Sequence, residues 1–415
     1  MRKILASLDI GSDDIKLVVA EMAKNNKLNI LASAKVPSLG IKNGFIKDPL
    51  KLMPKLEEAF TKCESIIGVK IRNVIATVPS EGAEFFFTEG STTINNAERR
   101  IKNMDILRAM QASTYNRISS DKEIVSVKPV SYLIDDERTV DNPLGLEAVK
   151  LTIKSLVTTI PKKNINFLEK CLEKIGVNLL DYTLGSIGDY YEFQKEIMKE
   201  NVGCIINIGY MKTEVSIFNK GILTNTETLN LGAYHIENDL AYIFKVSLAT
   251  AKEIKNDLCA AHKRNVSASI KKEYLTKTNE KMEISEYEAT EVSTARVEEI
   301  LKFAKKQINL LTKKEIHYIM ITGGVSEMPQ FSMLVDEVFG HEAKILNIKE
   351  IGVRSNIYSS ALGMTKYYDE KTRSRGVDFS IWNAEETEEL SNVNKKINFG
   401  ENSILGKLFG YFFDN

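Results

Sequence analysis

Cysteine is scarce in this chain, and the few cysteines present are not spaced to act together. Cys63, Cys171, Cys204 and Cys259 lie far apart with no close pair, which argues against a disulfide framework or a thiolate metal site. The four histidines, His235, His262, His317 and His341, are equally scattered, and no metal site is expected. Neither charge is in excess: 56 Lys and Arg stand against 56 Asp and Glu. No global field therefore draws the protein to nucleic acid or acidic lipid, and any membrane attraction must be local. Long hydrophobic runs are missing too. After Arg2 and Lys3 the apolar run breaks at Asp9, too early for a signal-peptide core. No stretch approaches the roughly 20 apolar residues that a spanning helix needs, so a cytoplasmic protein is expected. The remainder is ordinary globular material, 43% apolar and 27% charged over 415 residues, enough for two to four compact units of about 100 to 150 residues each.

The clearest positive feature is a repeated pattern. Residues 5–7 lead into Leu8, Asp9, Ile10 and Gly11, then an apolar run 15–19, a polar turn at Asn25, Asn26 and Lys27, and a further run 30–34. Later, 204–206 lead into Asn207, 198 positions after Asp9, then Ile208 and Gly209, a run 215–218, a turn at Asn219, Lys220 and Gly221, and a run from Leu223 onward. Two strand–turn–strand segments with the same glycine placement thus open the two halves of the chain. Such hairpins suit phosphate binding, though any β-rich duplication would also produce them. A third signal sharpens the pattern. Residues 318–321 read as a buried strand, Thr322, Gly323 and Gly324 as a sharp turn, and Phe331 to Phe339 as a helix after Pro329. Glycines let backbone approach a ligand where a Cβ would clash, and the amides of such turns suit phosphate or ribose.

Between these signals, residues 52–67, 165–175 and 292–311 show a period near 3.6 and read as core-facing helices. The segment 372–401 differs in kind. It carries an acidic cluster at Glu385, Glu386, Glu388 and Glu389, several asparagines and few apolar residues, and reads as a disordered linker holding the single tryptophan, Trp382. Beyond it, Asn402 or Ser403 suits a helix cap. At about 100° per residue Ile404, Leu405, Leu408, Phe409, Tyr411, Phe412 and Phe413 fall on one face, opposite Ser403, Gly406, Lys407, Gly410 and Asp414. A helix of roughly 18 Å is too short to cross a bilayer but suited to lying in its surface. The alternative is a terminal helix docked on its own protein. Apolar burial and ordering entropy nearly cancel for one copy, so stable attachment requires several copies acting together.

Taken together, residues 8–16, 205–215, 232–239 and 319–329 resemble the phosphate and adenosine motifs of the actin, sugar kinase and DnaK superfamily. Within it the chain is similar to the FtsA family. Gly40, Gly44, Ile46 and Asp48 match a stretch typical of that family. Asn142, Pro143, Leu144 and Gly145 match the turn of its 1C subdomain, and residues 295–300 match the helix after the variable loop of its 2B subdomain. The resemblance implies an α/β, actin-like (ribonuclease H-like) fold of two lobes with an ATP cleft between them. The first lobe would comprise 1–79, 160–198 and 357–371, with 80–159 as the 1C subdomain. The second would comprise 199–232 and 313–356, with 233–312 as the helical 2B part, followed by the linker 372–401 and a membrane-targeting helix 402–415.

The resemblance also implies a site for ATP with Mg²⁺. Asp9, Gly11, Ser12 and Lys16 would come from the first hairpin, and Asn207, Gly209 and Thr213 from the second. Gly232, Glu253 and Lys255 would lie on the adenosine side, with Gly323, Gly324 and Val325 at the third turn. Several positions depart from the family pattern. Tyr210 and Met211 replace two glycines, where any positive φ would cost around 1 kcal/mol or more per residue, and Asn207 loses a carboxylate suited to hydrated Mg²⁺. Asp13 and Asp14 bring negative charge to the first turn, with Lys16 and Lys212 available to offset it. Ala233 replaces a glycine, and Lys252 stands where an acidic residue is usual. Nucleotide binding is therefore expected to be weakened or lost and turnover negligible, with no catalytic residue.

The implied function is a cell-division adaptor, peripheral on the cytoplasmic side of the cell (inner) membrane at the division site. It would grip the C-terminal peptide of FtsZ through Arg296, with Lys281 on the preceding loop as a second candidate. It would polymerise with itself, bind later divisome proteins through 1C, and meet the membrane through Ile404, Leu405, Leu408, Phe409, Phe412 and Phe413. The alternatives are an ATP-binding kinase of the same superfamily or a PilM-like assembly adaptor.

Overall fold

The computed structural model describes residues 3–23, 27–42, 44–374 and 380. The segment 381–415, with Trp382, the acidic cluster and the terminal amphipathic stretch, lies outside the described residues, as does almost all of the linker expected from 372.

Two five-stranded sheets share one topology. In the first, Lys3–Ile10, Asp14–Met22 and Leu28–Pro37 form an antiparallel meander. Asn73–Val78 pairs parallel to the first strand, and Asn178–Leu184 parallel to that. In the second, Val202–Ile208, Thr213–Asn219 and Ile222–Leu229 form the meander, with Tyr318–Thr322 and then Ala343–Ile345 added in parallel. Each sheet therefore runs meander-edge to parallel-edge in the same order, the physical form of the repeated sequence pattern. The opening strands are nearly continuous apolar runs because helices cover both faces.

The helix Pro49–Ile67 packs on the first sheet. Its start is set by Asp48, whose carboxylate accepts from the Lys51 amide, and by Pro49 in the first turn. Its end is set by Gly68 at φ 76°. Apolar residues inside it, among them Leu52, Leu56 and Phe60, are buried. On the second sheet lie Ala233–Ile243, Leu248–Leu258, the 26-residue helix Glu286–Leu311 and Phe331–Phe339. The region 233–312 is not helical throughout: Lys271–Leu275 and Lys281–Ser285 form an antiparallel hairpin within it. Lys281 thus opens a strand rather than lying on a loop.

A third sheet is inserted after the strand Asn73–Val78. Its order is Glu84–Thr93, Lys150–Pro161, Lys122–Ile134 and Arg138–Val140. The helix Asn103–Thr114 lies so close to it that a Cβ on Gly90 would sit 2.3 Å from the Ala109 carbonyl oxygen. The unit has its own small core of Ile94, Ile101, Ala109, Ile134, Ala148, Leu151 and Ile153.

Two helices, Gly185–Phe193 and Ser359–Ser374, form the hinge between the lobes. Their backbones touch: a Cβ on Gly188 would lie 2.3 Å from the Ser360 carbonyl oxygen, and one on Gly363 1.7 Å from that of Gly188. Tyr190 of the first helix stacks on Phe218 of the second sheet with centroids 4.7 Å apart. The second helix runs to Ser374, three residues into the expected linker, because Lys371 pairs with Asp181 at 2.6 Å and Arg373 with Asp369 one turn back.

The four cysteines are free thiols, all buried. Among the described residues no helix is long and apolar enough to cross a membrane, and no group of three or more His, Cys, Asp or Glu could hold a metal ion.

Candidate functional site

The two hairpin turns and the third turn converge on one cleft of about 520 Å³ between the lobes. Both hairpins close in the same way: the Gly11 amide donates to the Asp14 carbonyl and the Gly209 amide to the Lys212 carbonyl, each at 2.9 Å. Tyr210 and Met211 enter the second turn without positive φ; neither is among the residues in the left-handed region. The strain expected from replacing glycine there is absent, because this turn geometry does not need that region. Where glycine is required is Gly323, at φ 94°, whose Cβ would fall 2.5 Å from the Asn207 side chain.

Of the expected nucleotide residues, Asp9, Gly11, Ser12, Lys16, Asn207, Gly209, Lys255, Gly323, Gly324 and Val325 line the cleft. Thr213 does not. It is buried and donates to the Leu231 carbonyl at 2.8 Å. Gly232 lies behind the second turn, where the Ala233 and Tyr234 amides donate to the carbonyls of Gly209 and Tyr210 at 3.0 and 2.8 Å. Glu253 is exposed and absent from the lining.

The electrostatics of the cleft decide what it can hold. Six carboxylates line it, Asp9, Asp13, Asp14, Glu81, Glu214 and Glu327, against four ammonium groups, Lys16, Lys35, Lys212 and Lys255. All four cations are engaged by the protein. Lys16 pairs with Asp9 at 2.9 Å, Lys35 with Asp14 at 3.2 Å, Lys212 with Glu81, and Lys255 with the fully buried Glu237. Burial opposes the charge on Lys16, but its bond to Asp9 prevails and its pKa ends above the ordinary lysine value. Burial pushes Lys212 down to about 8. The lysines expected to offset the aspartates are thus consumed by carboxylates. Tyr210 projects its side chain beside the nucleoside-side residues, its hydroxyl donating to Glu237 at 2.7 Å and its ring 5.1 Å from the Lys252 ammonium. Asn207 donates at 2.7 Å to Asp189, a carboxylate buried at the hinge that also accepts from Ser359 and Ser360 at 2.6 and 2.8 Å. These residues do not fit a magnesium triphosphate: the lining carries surplus negative charge, and the Asn207 amide is spent on Asp189.

A second candidate lies on the outer face of the second lobe. Asp239, Ala295, Arg296, Glu298, Glu299, Lys302, Phe303 and Lys306 line an open groove of about 570 Å³. Arg296 faces Asp239 with a two-pronged contact, Nε to Oδ2 at 2.6 Å and Nη2 to Oδ1 at 3.0 Å, and also meets Glu299. The hydrogen bond to Asp239 is the main reason its guanidinium pKa is raised. Phe303 is partly exposed, and Lys306 has no ion pair among the described residues. Lys281 is not part of this groove; it pairs with Glu273 at 2.7 Å. Sequence reasoning missed Phe303, Lys302 and Lys306, although their spacing from Arg296 along one helix could have grouped them.

Comparison with known proteins connects this geometry to a family. Residues 204–363 match the model of "Cell division protein FtsA", and residues 82–159 that of the "SHS2 domain inserted in FTSA". The cell division protein FtsA of Bacillus subtilis (strain 168) is 26% identical over 376 residues, covering 90% of this chain and 85% of that protein. Among solved structures, a PilM–PilN type IV pilus biogenesis complex superposes with a TM-score of 0.57 at 14% identity, covering 86% of this chain and 96% of that one. MreB5 of Spiroplasma citri bound to ADP gives 0.55 at 13%, covering 90% and 98%. The structural likenesses establish an actin-like fold and nothing narrower. The sequence matches go further, because they fall on both the inserted sheet and the second lobe: the chain belongs to the FtsA family of cell division proteins.

Proposed function

We propose that this protein is a division adaptor that ties an FtsZ filament to the cytoplasmic face of the membrane and offers its inserted sheet to later divisome proteins. The observation that carries the reading is the groove around Arg296. A guanidinium held in a fixed fork, a partly exposed phenylalanine about two turns along the same helix and Lys306 about three turns along suit an extended peptide carrying both carboxylates and apolar side chains, while Lys302 pairs with Glu298 at 2.6 Å. An incoming carboxylate would share Arg296 with Asp239 and gain Lys306. The membrane end of the adaptor falls to 402–415, whose apolar face was read from sequence and lies outside the described residues. Self-association would make weak single attachments effective.

Nucleotide is not proposed as a working cofactor. MreB5 was solved with ADP, but the cations in this cleft are already paired. The likeness to PilM is one of fold and does not favour a pilus role. The deciding experiment is titration of a labelled FtsZ tail peptide. Arg296→Glu together with Lys306→Glu should weaken binding by at least about tenfold, about 1.4 kcal/mol. Unchanged affinity would remove the adaptor proposal. Separately, deletion of 402–415 should release the protein from floated liposomes.

A further inference from the structure

In an actin-like cleft a nucleotide would lie between the lobes and touch both. Here the lobes touch each other. Lys252, on the helix Leu248–Leu258 of the second lobe, places its ammonium 2.6 Å from the Asp13 carboxylate in the first hairpin turn. At the opposite side of the mouth, Ser80 donates to Glu214 at 2.5 Å, and Lys212 of the second turn meets Glu81. Lys212 also lies 5.1 Å over the ring of Phe45. Lys252 with Asp13 and Lys212 with Phe45 join the second lobe to the first, and Ser80 and Glu81 lie on the connection that leads out of the first lobe's strand Asn73–Val78.

We propose that the two lobes are latched by these side chains, with Lys252 and Asp13 as the principal pair, so that cleft closure does not wait for a nucleotide. Two substitutions that look like defects in a nucleotide site explain each other in this way. Asp13 alone would add a third carboxylate beside Asp9 and Asp14, and Lys252 alone would place a cation where an acidic residue is usual. Together they form an ion pair across the cleft, and like-charge repulsion within the turn is relieved. Burial disfavours the Lys252 ammonium, but its hydrogen bond to Asp13, aided by Glu237 and Asp14, raises its pKa, so the latch is charged at neutral pH. Asp13 and Lys252 are each partly exposed, and such a pair has a modest strength that falls with added salt. That keeps closure reversible. The inference is independent of the peptide groove and of the adaptor reading.

Hydrogen exchange of the full chain, read by mass spectrometry over peptides spanning 9–16 and 207–214, tests the latch. The wild type should show both turns protected without nucleotide and unchanged on adding Mg-ATP. Lys252→Glu should speed exchange there by about two- to fivefold at low salt, and the exchanged pair Asp13→Lys with Lys252→Asp should restore the wild-type rate. Exchange of the strand Val202–Ile208 serves as the folding control and should not change. Two results would overturn the proposal: Lys252→Glu exchanging at the wild-type rate, or wild-type turns that become protected only when Mg-ATP is present. Failure of the charge swap to restore protection, with the control strand intact, would count equally against it. Peptide titration of the same variants reads the groove separately, so loss of one proposal leaves the other standing.

Discussion

Asn207 shows at the level of one side chain why this cleft differs from the family pattern. Its amide donates to Asp189, which is fully buried and already accepts two serine hydroxyls. An aspartate at 207 would place two carboxylates about one hydrogen bond apart with no cation between them, and one of them would be forced to hold a proton. Asn207→Asp, although it returns the family residue, should therefore destabilise the fold by about 2 kcal/mol or more at neutral pH and recover partly in acid. Urea unfolding at two pH values checks this.

Asp189 also makes a pH prediction by itself. Burial pushes its carboxyl up to about 6, and that of Glu192, one turn on, up to about 7 against the pull of Lys366. For a group whose folded pKa lies above its unfolded value, the folded state holds the proton more tightly. Its contribution is most favourable below the ordinary carboxylate range and declines as pH rises to the folded pKa. Stability should thus fall between about pH 4 and 6 through Asp189, by at most about 3 kcal/mol. Subtracting the profile of Asp189→Asn from that of the wild type should isolate the slope; parallel profiles would contradict the assignment.

Among elements, the crossing of the two hinge helices tolerates the least change. Gly188 and Gly363 let the backbones of Gly185–Phe193 and Ser359–Ser374 meet without intervening side chains. A methyl at 363 would have to displace main chain rather than a flexible side chain, which costs about 3 kcal/mol or more. Gly363→Ala should lower the melting temperature by several degrees, whereas Gly176→Ala, where nothing lies within 4 Å, should show only the cost of its left-handed backbone. How far such elements could be read in advance varied with the kind of signal. The helix Phe331–Phe339 was legible to the residue, because a proline and a glycine turn precede it. The helix Pro49–Ile67 was read three residues short, since its start depends on the Asp48 cap and Pro49 rather than on apolar period. The hairpin around Lys281 was missed because two five-residue strands give too short an alternation to stand out between long helices. The cross-cleft pair was not legible at all: Asp13 and Lys252 are 239 positions apart, and each looked like an isolated defect until the lobes were brought together.

At the scale of the whole molecule, the inserted sheet is attached to the first lobe at one end of its strands. The chain enters and leaves it through adjacent antiparallel strands, Glu84–Thr93 and Lys150–Pro161. Its far end has a small core of its own around Leu151 and Ile153, whereas Val125 and Ile160 at the near end belong to the core of the lobes. Lys128 provides one of its ties to the body. From the strand Lys122–Ile134 its ammonium reaches between two hinge-helix rings, 5.7 Å from the centroid of Tyr191 and 5.5 Å from that of Tyr367, and donates to the Tyr191 hydroxyl at 3.1 Å. That hydroxyl in turn donates to Glu370 at 2.7 Å. Burial lowers the Lys128 pKa, with Glu370 opposing, so the ammonium is kept there by the rings and the nearby carboxylate together. Removing it leaves the buried Tyr191 ring beside a void, its hydroxyl still bonded to the exposed Glu370, and frees the inserted sheet to move relative to the hinge. Lys128→Ala should therefore divide a single calorimetric transition into two, the first belonging to residues 82–159 and the second to the two lobes. Hydrogen exchange in Glu84–Thr93 should accelerate while Lys3–Ile10 stays protected. A variant that still melts in one step, with both strands equally protected, would mean that the shared strand entry rather than Lys128 couples the inserted sheet to the cleft.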